Sequence, residues 1–239
     1  MADDSPWDLK RLRDDVRSVY GSDRCQIVER SLTSMDQRLE FARYHYQEQK
    51  RILSQFASPE ASPIHHVILA LGGRGEEGHQ FRKALKHAMA HVVACVSSMH
   101  AVADTLSFAI YHILAMDLDP QSQLTERQIN VHSVAKRASD LAVRQLLIEL
   151  TENDGFRYLN ALANHSKHRA IVGVGYRAET ESEPEGQNHG LSFTAFEHDG
   201  LTHEAKWVST TLNAEYDRQQ PLIQAIGRAL NAAISARRV

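Results

Sequence analysis

Only two cysteines, Cys25 and Cys95, occur in 239 residues. Two thiols make no disulfide framework, and a reducing compartment, the cytoplasm, is the simpler expectation. An excess of positive charge is also missing. The 27 Lys and Arg are outnumbered by 30 Asp and Glu, for a net charge of -3, so no global basic field draws in nucleic acid. A local basic patch stays open. No run of about 18 apolar residues occurs, so no membrane partner is expected. The opening Met1-Ala2-Asp3-Asp4 is acidic and lacks an apolar core, so no signal peptide is read there. Against these absences stand an ordinary 42% hydrophobic and 24% charged residues and a high count of 14 histidines. A chain of this size buries a full core without staples, and it fits one large domain or one domain with an appendage.

Periodicity then places the elements. Ser5-Pro6 reads as an N-cap followed by proline at the first helical position, opening a short helix that runs to about Tyr20 and ends at Gly21. From about 23 to 56, Val28, Leu32, Met35, Leu39, Ala42, Tyr46, Gln49, Leu53 and Phe56 follow alternating four- and three-residue steps. Gln49 alone breaks that apolar series, and the pattern predicts a long amphipathic helix with a coiled-coil-like seam. Residues 57–79, with Pro59, Pro63 and four glycines, read as a connection holding a short apolar piece, Val67 to Leu71. From 81 to 116 the same steps run unbroken through Phe81, Leu85, Ala88, Val92, Cys95, Met99, Val102, Leu106, Ala109, Ile113 and Met116. Apolar residues on several flanks put this second long helix at the centre of a bundle. After Asp119-Pro120, a shorter helical region spans about 126 to 152, and Asn153-Asp154-Gly155 reads as a turn before a helix from Phe156 to about Arg169. Ile171 to Tyr176 then reads as strand and 178–190 as an acidic loop. Leu191–Phe196 and Leu201–Val208 read as a β-hairpin about Asp199-Gly200. A last helix carries Leu222, Ile226, Leu230 and Ala233, with Pro221 in its first turn or at a kink. The fold expected is mainly α. It is one helical domain over 1–239: a bundle with two long antiparallel helices, and a small β insertion at 171–208 before the C-terminal helix.

Three places could carry chemistry. Gly73-Arg74-Gly75-Glu76-Glu77-Gly78 is a literal GxGxxG, the backbone pattern that cradles a pyrophosphate at a helix N-terminus. Its context lacks the second parallel strand of a dinucleotide fold, and two glutamates would repel phosphate, so an interhelical connection is the reading and no cofactor is expected. His87 and His91 stand four apart on the second long helix and could grip one metal ion. With no further ligand in view they read first as histidines flanking the core. The third place is the helix 156–169. There Arg157, Asn160, Asn164 and Lys167 or His168 recur at helical spacing, with Phe156, Leu159 and Ala163 facing inward. Two asparagines inside a helix lower its propensity, so a hydrogen-bond network or a functional surface has to offset them. Lys167-His168-Arg169 also forms a dense cationic patch, which complements the helix dipole.

The phrase Asn164-His165-Ser166-Lys167-His168-Arg169 is similar to an Asn-x-x-Lys-His-Arg signature in uncharacterised bacterial helical proteins, over perhaps the last third of the chain. More broadly the chain resembles HEPN-type helical bundles, several of which are metal-independent ribonucleases of defence and toxin–antitoxin systems. Those place an arginine and a histidine four to six residues apart on a late helix. The resemblance implies an arginine that stabilises phosphate charge and a histidine that moves protons at a 2′-hydroxyl. Here seven residues stand between Arg157 and His165 and ten between Arg157 and His168, so no catalytic residue is assigned. The function expected is a binding or oligomerisation module, a homodimer from its seams, that recognises a protein or an anionic partner such as RNA through Arg157, Asn160, Asn164, Lys167, His168 and Arg169. A HEPN-like ribonuclease is the alternative.

Overall fold

In the computed structural model the described residues are 6–56, 63–73, 75–179 and 189–238. They form eight α-helices and five short strands: α1 (Leu9–Tyr20), α2 (Ser22–Ser54), α3 (Pro63–Leu71), α4 (Glu76–Ile113), α5 (Val131–Arg137), α6 (Leu141–Thr151), α7 (Asp154–His168), β1 (Val174–Ala178), β2 (His189–Phe193), β3 (Phe196–His198), β4 (Leu201–His203), β5 (Lys206–Trp207) and α8 (Val208–Ser235). The fold is a mainly α bundle with two long packed helices, α2 and α4, and a small β region ahead of the C-terminal helix. The chain divides into two compact units, residues 1–39, 99–157 and 215–239 in the first and 40–98 and 158–214 in the second.

The first unit is held by one apolar cluster. Leu12 and Val16 of α1, Val28, Leu32 and Met35 of α2, Val102, Leu106 and Ile110 of α4, Leu147 and Leu150 of α6, and Ile223, Ile226 and Leu230 of α8 are all buried in it. Helix α1 opens on Asp8, whose carboxylate accepts the Arg11 N–H, three residues later than the Ser5 cap expected; Ser5 itself lies outside the described residues. Gly21, at φ 89°, ends it as expected. In this unit α2 meets α4 through Arg24, which donates to the His112 carbonyl at 2.9 Å and grips Asp117 with both terminal nitrogens at 2.7 and 2.8 Å. The region 126–152 is not one helix but a 3-10 turn, α5 and α6. Asn130 caps α5 and Asp140 caps α6, each accepting an N–H three residues on, and a cap side chain closes one helix start and excludes continuation of the last. Asn153 and Asp154 are likewise not a free turn. The Asn153 side chain accepts the Gly155 N–H at 2.8 Å, and α7 starts at Asp154. Helix α8 begins 13 residues before Pro221, so that proline sits inside it rather than in its first turn.

The second unit holds the other halves of α2 and α4, which pack antiparallel there: the Phe56 ring meets Phe81, and further along His45 meets His91. Buried Ala88, Val92 and Cys95 continue the α4 seam. By length and composition α4 could cross a membrane, but half of that stretch is buried inside the protein, as for a core helix. The stretch read as a plain connection contains α3; Arg82 donates to the Leu69 carbonyl in its last turn and to the Gly73 carbonyl just beyond it, at 3.1 Å each. Gly78, in the first turn of α4, faces the Gly73 carbonyl oxygen so closely that a Cβ there would meet it at 2.1 Å. The glycines of the GxGxxG therefore serve a tight helix-to-helix turn; Arg74 lies outside the described residues.

The β region departs from the hairpin expected. The Asp199-Gly200 turn is present, with positive φ at both residues (51° and 78°), as a two-residue hairpin turn demands. It joins only β3 to β4, with Phe196 opposite His203. The outer parts of the two expected strands peel away into a second sheet of order β1-β2-β5, all antiparallel, with Tyr176 opposite Leu191 and Ser192 opposite Trp207. Strand β1 starts at Val174, later than Ile171, and β2 takes in His189 and Gly190, which had been assigned to the loop; residues 180–188 lie outside the described residues.

Candidate functional site

Helix α7 buries Phe156, Leu159 and Ala163 as expected, and Tyr158, Ala161 and Leu162 besides. Asn160 and Asn164 are half-buried and pair one turn apart, the Asn164 amide donating to the Asn160 carbonyl oxygen at 2.9 Å. That bond offsets part of the propensity each asparagine costs the helix. The rest of the face is exposed. Arg157 lies 3.5 Å from Asp154, and Arg169 lies 3.2 Å from Asp199 on the β3–β4 turn. Lys167 and His168 occupy the last turn, where cations meet the helix dipole. The His165 ring hydrogen-bonds the Ala170 carbonyl at 2.6 Å, which requires its Nδ1 to carry the hydrogen. Arg157 and His165 thus take different partners, Asp154 and the Ala170 carbonyl.

The two α4 histidines also separate. His91 pairs across the helix boundary with His45 of α2, Nδ1 to Nδ1 at 2.9 Å, while His87 is exposed. No group of three or more His, Cys, Asp or Glu side chains suited to a metal ion occurs among the described residues.

A third place in the second unit was not singled out as a site in the sequence. A cavity of about 230 Å³ opens among α2, α3, α4, β1, β2 and the start of α8, with Gln49, His66, Phe81, Tyr176, His189 and Leu191 on its walls. The His66 and Phe81 rings each lie 5.6 Å from that of Tyr176, and the His66 ring 5.6 Å from that of Phe81, so three rings meet as one cluster. Register places the remaining wall. Arg177 and Ala178 of β1 pair with Gly190 and His189 of β2, which brings the His189 Nδ1 to 2.8 Å from the Tyr176 hydroxyl. Burial raises the Tyr176 pKa, so the phenol keeps its proton. His66 donates from Nε2 to the Phe56 carbonyl at 2.8 Å, and its buried Nδ1 has no partner among the described residues. Gln49 is 4% exposed, a carboxamide enclosed at a seam position where its neighbours one and two turns away are apolar.

Gln49 carried the signal that could have found this site: it is the residue that breaks the α2 seam. Nothing in local pattern joins it to His66, Tyr176 and His189, because only the β1–β2 pairing and the antiparallel α2–α4 contact bring them together. No protein family, no curated protein and no solved structure gives a significant match to this chain.

Proposed function

We propose that the protein is a non-enzymatic helical binding module that takes a small, planar, largely apolar molecule bearing one hydrogen-bonding group into the cavity beside Gln49. The buried carboxamide at a seam position carries this reading. A buried amide costs folding free energy unless its polar atoms are used, and an apolar residue would fit the seam better. Its use at the wall of a cavity is to orient a ligand. The three-ring cluster offers faces for a planar molecule, and a cavity of about 230 Å³ suits one smaller than the drug-sized ligands that fill pockets of roughly 300–1,000 Å³. Ionisation supports binding over catalysis. Burial pushes the Tyr176 phenol up and the Cys95 thiol up to about 12, the direction opposite to an activated base or nucleophile.

Ligand-observed NMR with a panel of small aromatic amides, acids and amines tests it. A subset binds; Gln49→Leu weakens those members about fivefold to tenfold, the worth of one neutral hydrogen bond. Leu53→Trp, which fills the cavity from its α2 wall, removes binding while the circular dichroism stays that of the parent. If no panel member binds, or if Leu53→Trp binds them as well as the parent does, the reading is wrong.

A further inference from the structure

We infer that the ligand of the cavity beside Gln49 is an anion, a small aromatic carboxylate whose charged end sits at the start of α8. This rests on the binding reading above and assigns the hydrogen-bonding group that reading leaves open. Val208 and Ser209, the first two residues of α8, stand on the cavity wall. The N-terminus of a long helix carries the equivalent of about half a positive charge and favours a carboxylate. The first turn of α8 holds no acidic side chain to offset that charge. Lys50 of α2 stands on the same wall. It is exposed, and its ammonium rests 4.5 Å from the centre of the Tyr46 ring, a weaker hold than a carboxylate offers. Among the described residues of the wall none is Asp or Glu, so an ammonium ligand finds no counter-charge there.

An unpartnered imidazole supports the same ligand independently. His66 is 7% exposed and lies on the cavity wall. Its Nε2 hydrogen is committed to the Phe56 carbonyl, and its Nδ1 has no partner among the described residues. A buried polar atom without a partner costs free energy that a ligand recovers. A carboxylic acid satisfies Nδ1 in either protonation form. With the proton on the acid, its O–H donates to Nδ1; with the proton on the ring, Nδ1–H donates to the carboxylate. Starting from a neutral ring and an anion in solution, both forms take up one proton. An amide makes a hydrogen bond but takes up none. The titratable groups around His66 are few. Lys50 of α2, Tyr176 of β1 and His189 of β2 share its wall, α4 contributes Phe81, and His65, next to it on α3, meets Glu77 at 3.2 Å.

Matched probes test the charge preference: benzoate, benzamide and benzylamine, and the naphthalene acid, amide and amine of the same design, titrated into the full chain by calorimetry. The acid binds about tenfold or more tightly than its amide, and the amine does not bind. Acid titrations at about pH 7.5, repeated in buffers of different ionisation enthalpy, show proton uptake, and amide titrations show none. Lys50→Glu, a change at an exposed position, lowers the acid-to-amide affinity ratio about tenfold. His66→Phe, which keeps a ring on the wall, removes the proton uptake; where that variant loses its helical dichroism, His66→Gln replaces it. An amide or amine that binds as tightly as its acid overturns the inference and leaves the binding reading standing. So does acid binding without proton uptake, or a ratio that Lys50→Glu leaves unchanged. No binding by any of these probes overturns the inference too, and the wider panel then decides whether the binding reading falls with it.

Discussion

At Gly227 a single methyl group is enough to test the packing of α8 against the N-terminal segment. An ideal Cβ there would stand 2.0 Å from Trp7 Cδ2, inside the indole. Trp7 cannot swing aside cheaply: it is 8% exposed, its indole N–H donates to Asn231 at 3.1 Å, and its backbone N–H donates to Gln224 at 2.8 Å. A glycine in a helix interior is ordinarily improved by alanine, by up to about 1 kcal/mol. Here over-packing, worth about 1–3 kcal/mol, outweighs that gain. Gly227→Ala therefore destabilises the protein by about 1–2 kcal/mol, read as a lower urea midpoint at unchanged slope. A midpoint that rises would mean the indole does not rest on Gly227. The buried carboxylates follow the same economy of close fit. Asp15 is 1% exposed and is met by Arg238 at 2.6 Å and the Ser235 hydroxyl at 2.7 Å, so α1 is fastened to the end of α8 by a fully partnered charge.

Among the elements, α8 carries the one proline inside a helix among the described residues. Pro221 is exposed, has no N–H to give to residue 217, and crowds the carbonyl one turn back. Packing on both sides of it keeps the helix going: Leu212 before it is buried in the second unit, and Ile223, Ile226 and Leu230 after it are buried in the first. Pro221→Ala restores the missing hydrogen bond without touching the core and raises stability by about 1 kcal/mol or more, seen as a higher melting temperature. A lower melting temperature would show that the bend itself serves the packing of Ile223 and Ile226. The same helix marks where sequence reading stops. The α2 and α4 seams were legible because every third or fourth residue is apolar over many turns, and Val28, Leu32, Ala88, Val92 and Leu106 are buried as the pattern requires. The start of α8 was not legible: the strand was read through to Val208, whereas the β2–β5 pairing ends at Trp207 and the helix starts at Val208. Likewise α3 is apolar but brief, and short apolar runs do not reveal their own period. Of the cavity residues, Gln49 showed as a fault in a long pattern. His66, Tyr176 and His189 have no such pattern around them, and their meeting depends on strand register.

Over the molecule as a whole, three histidines among the described residues have pKa values below the ordinary imidazole range. Burial is the largest cause at His45, His112 and His203; the His91 charge adds at the first, Arg24 at the second, and His198 and Lys206 at the third. His112 is the most enclosed, with the Phe108 and Tyr111 rings against it and Asp117 partly opposing the shift. A group whose folded pKa is depressed binds fewer protons folded than unfolded. Its stabilising share is complete above the unfolded value, about 6.5 for histidine, and is lost as pH falls through the folded value. Asp117 behaves alike in a lower window, its carboxylate held down chiefly by the hydrogen bond from Arg24, so its share is lost only below about pH 4. Stability should accordingly fall in two steps on acidification. The first, between about pH 7 and 5, belongs to the histidines, and the second to carboxylates such as Asp117. Urea midpoints at pH 7.5, 6.5 and 5.5 should decline steadily. His112→Gln, which keeps the backbone carbonyl that Arg24 uses, should flatten that decline. A midpoint that is level over this range in the parent protein, or a decline that His112→Gln leaves as steep, would mean that burial of these imidazoles does not govern the first step.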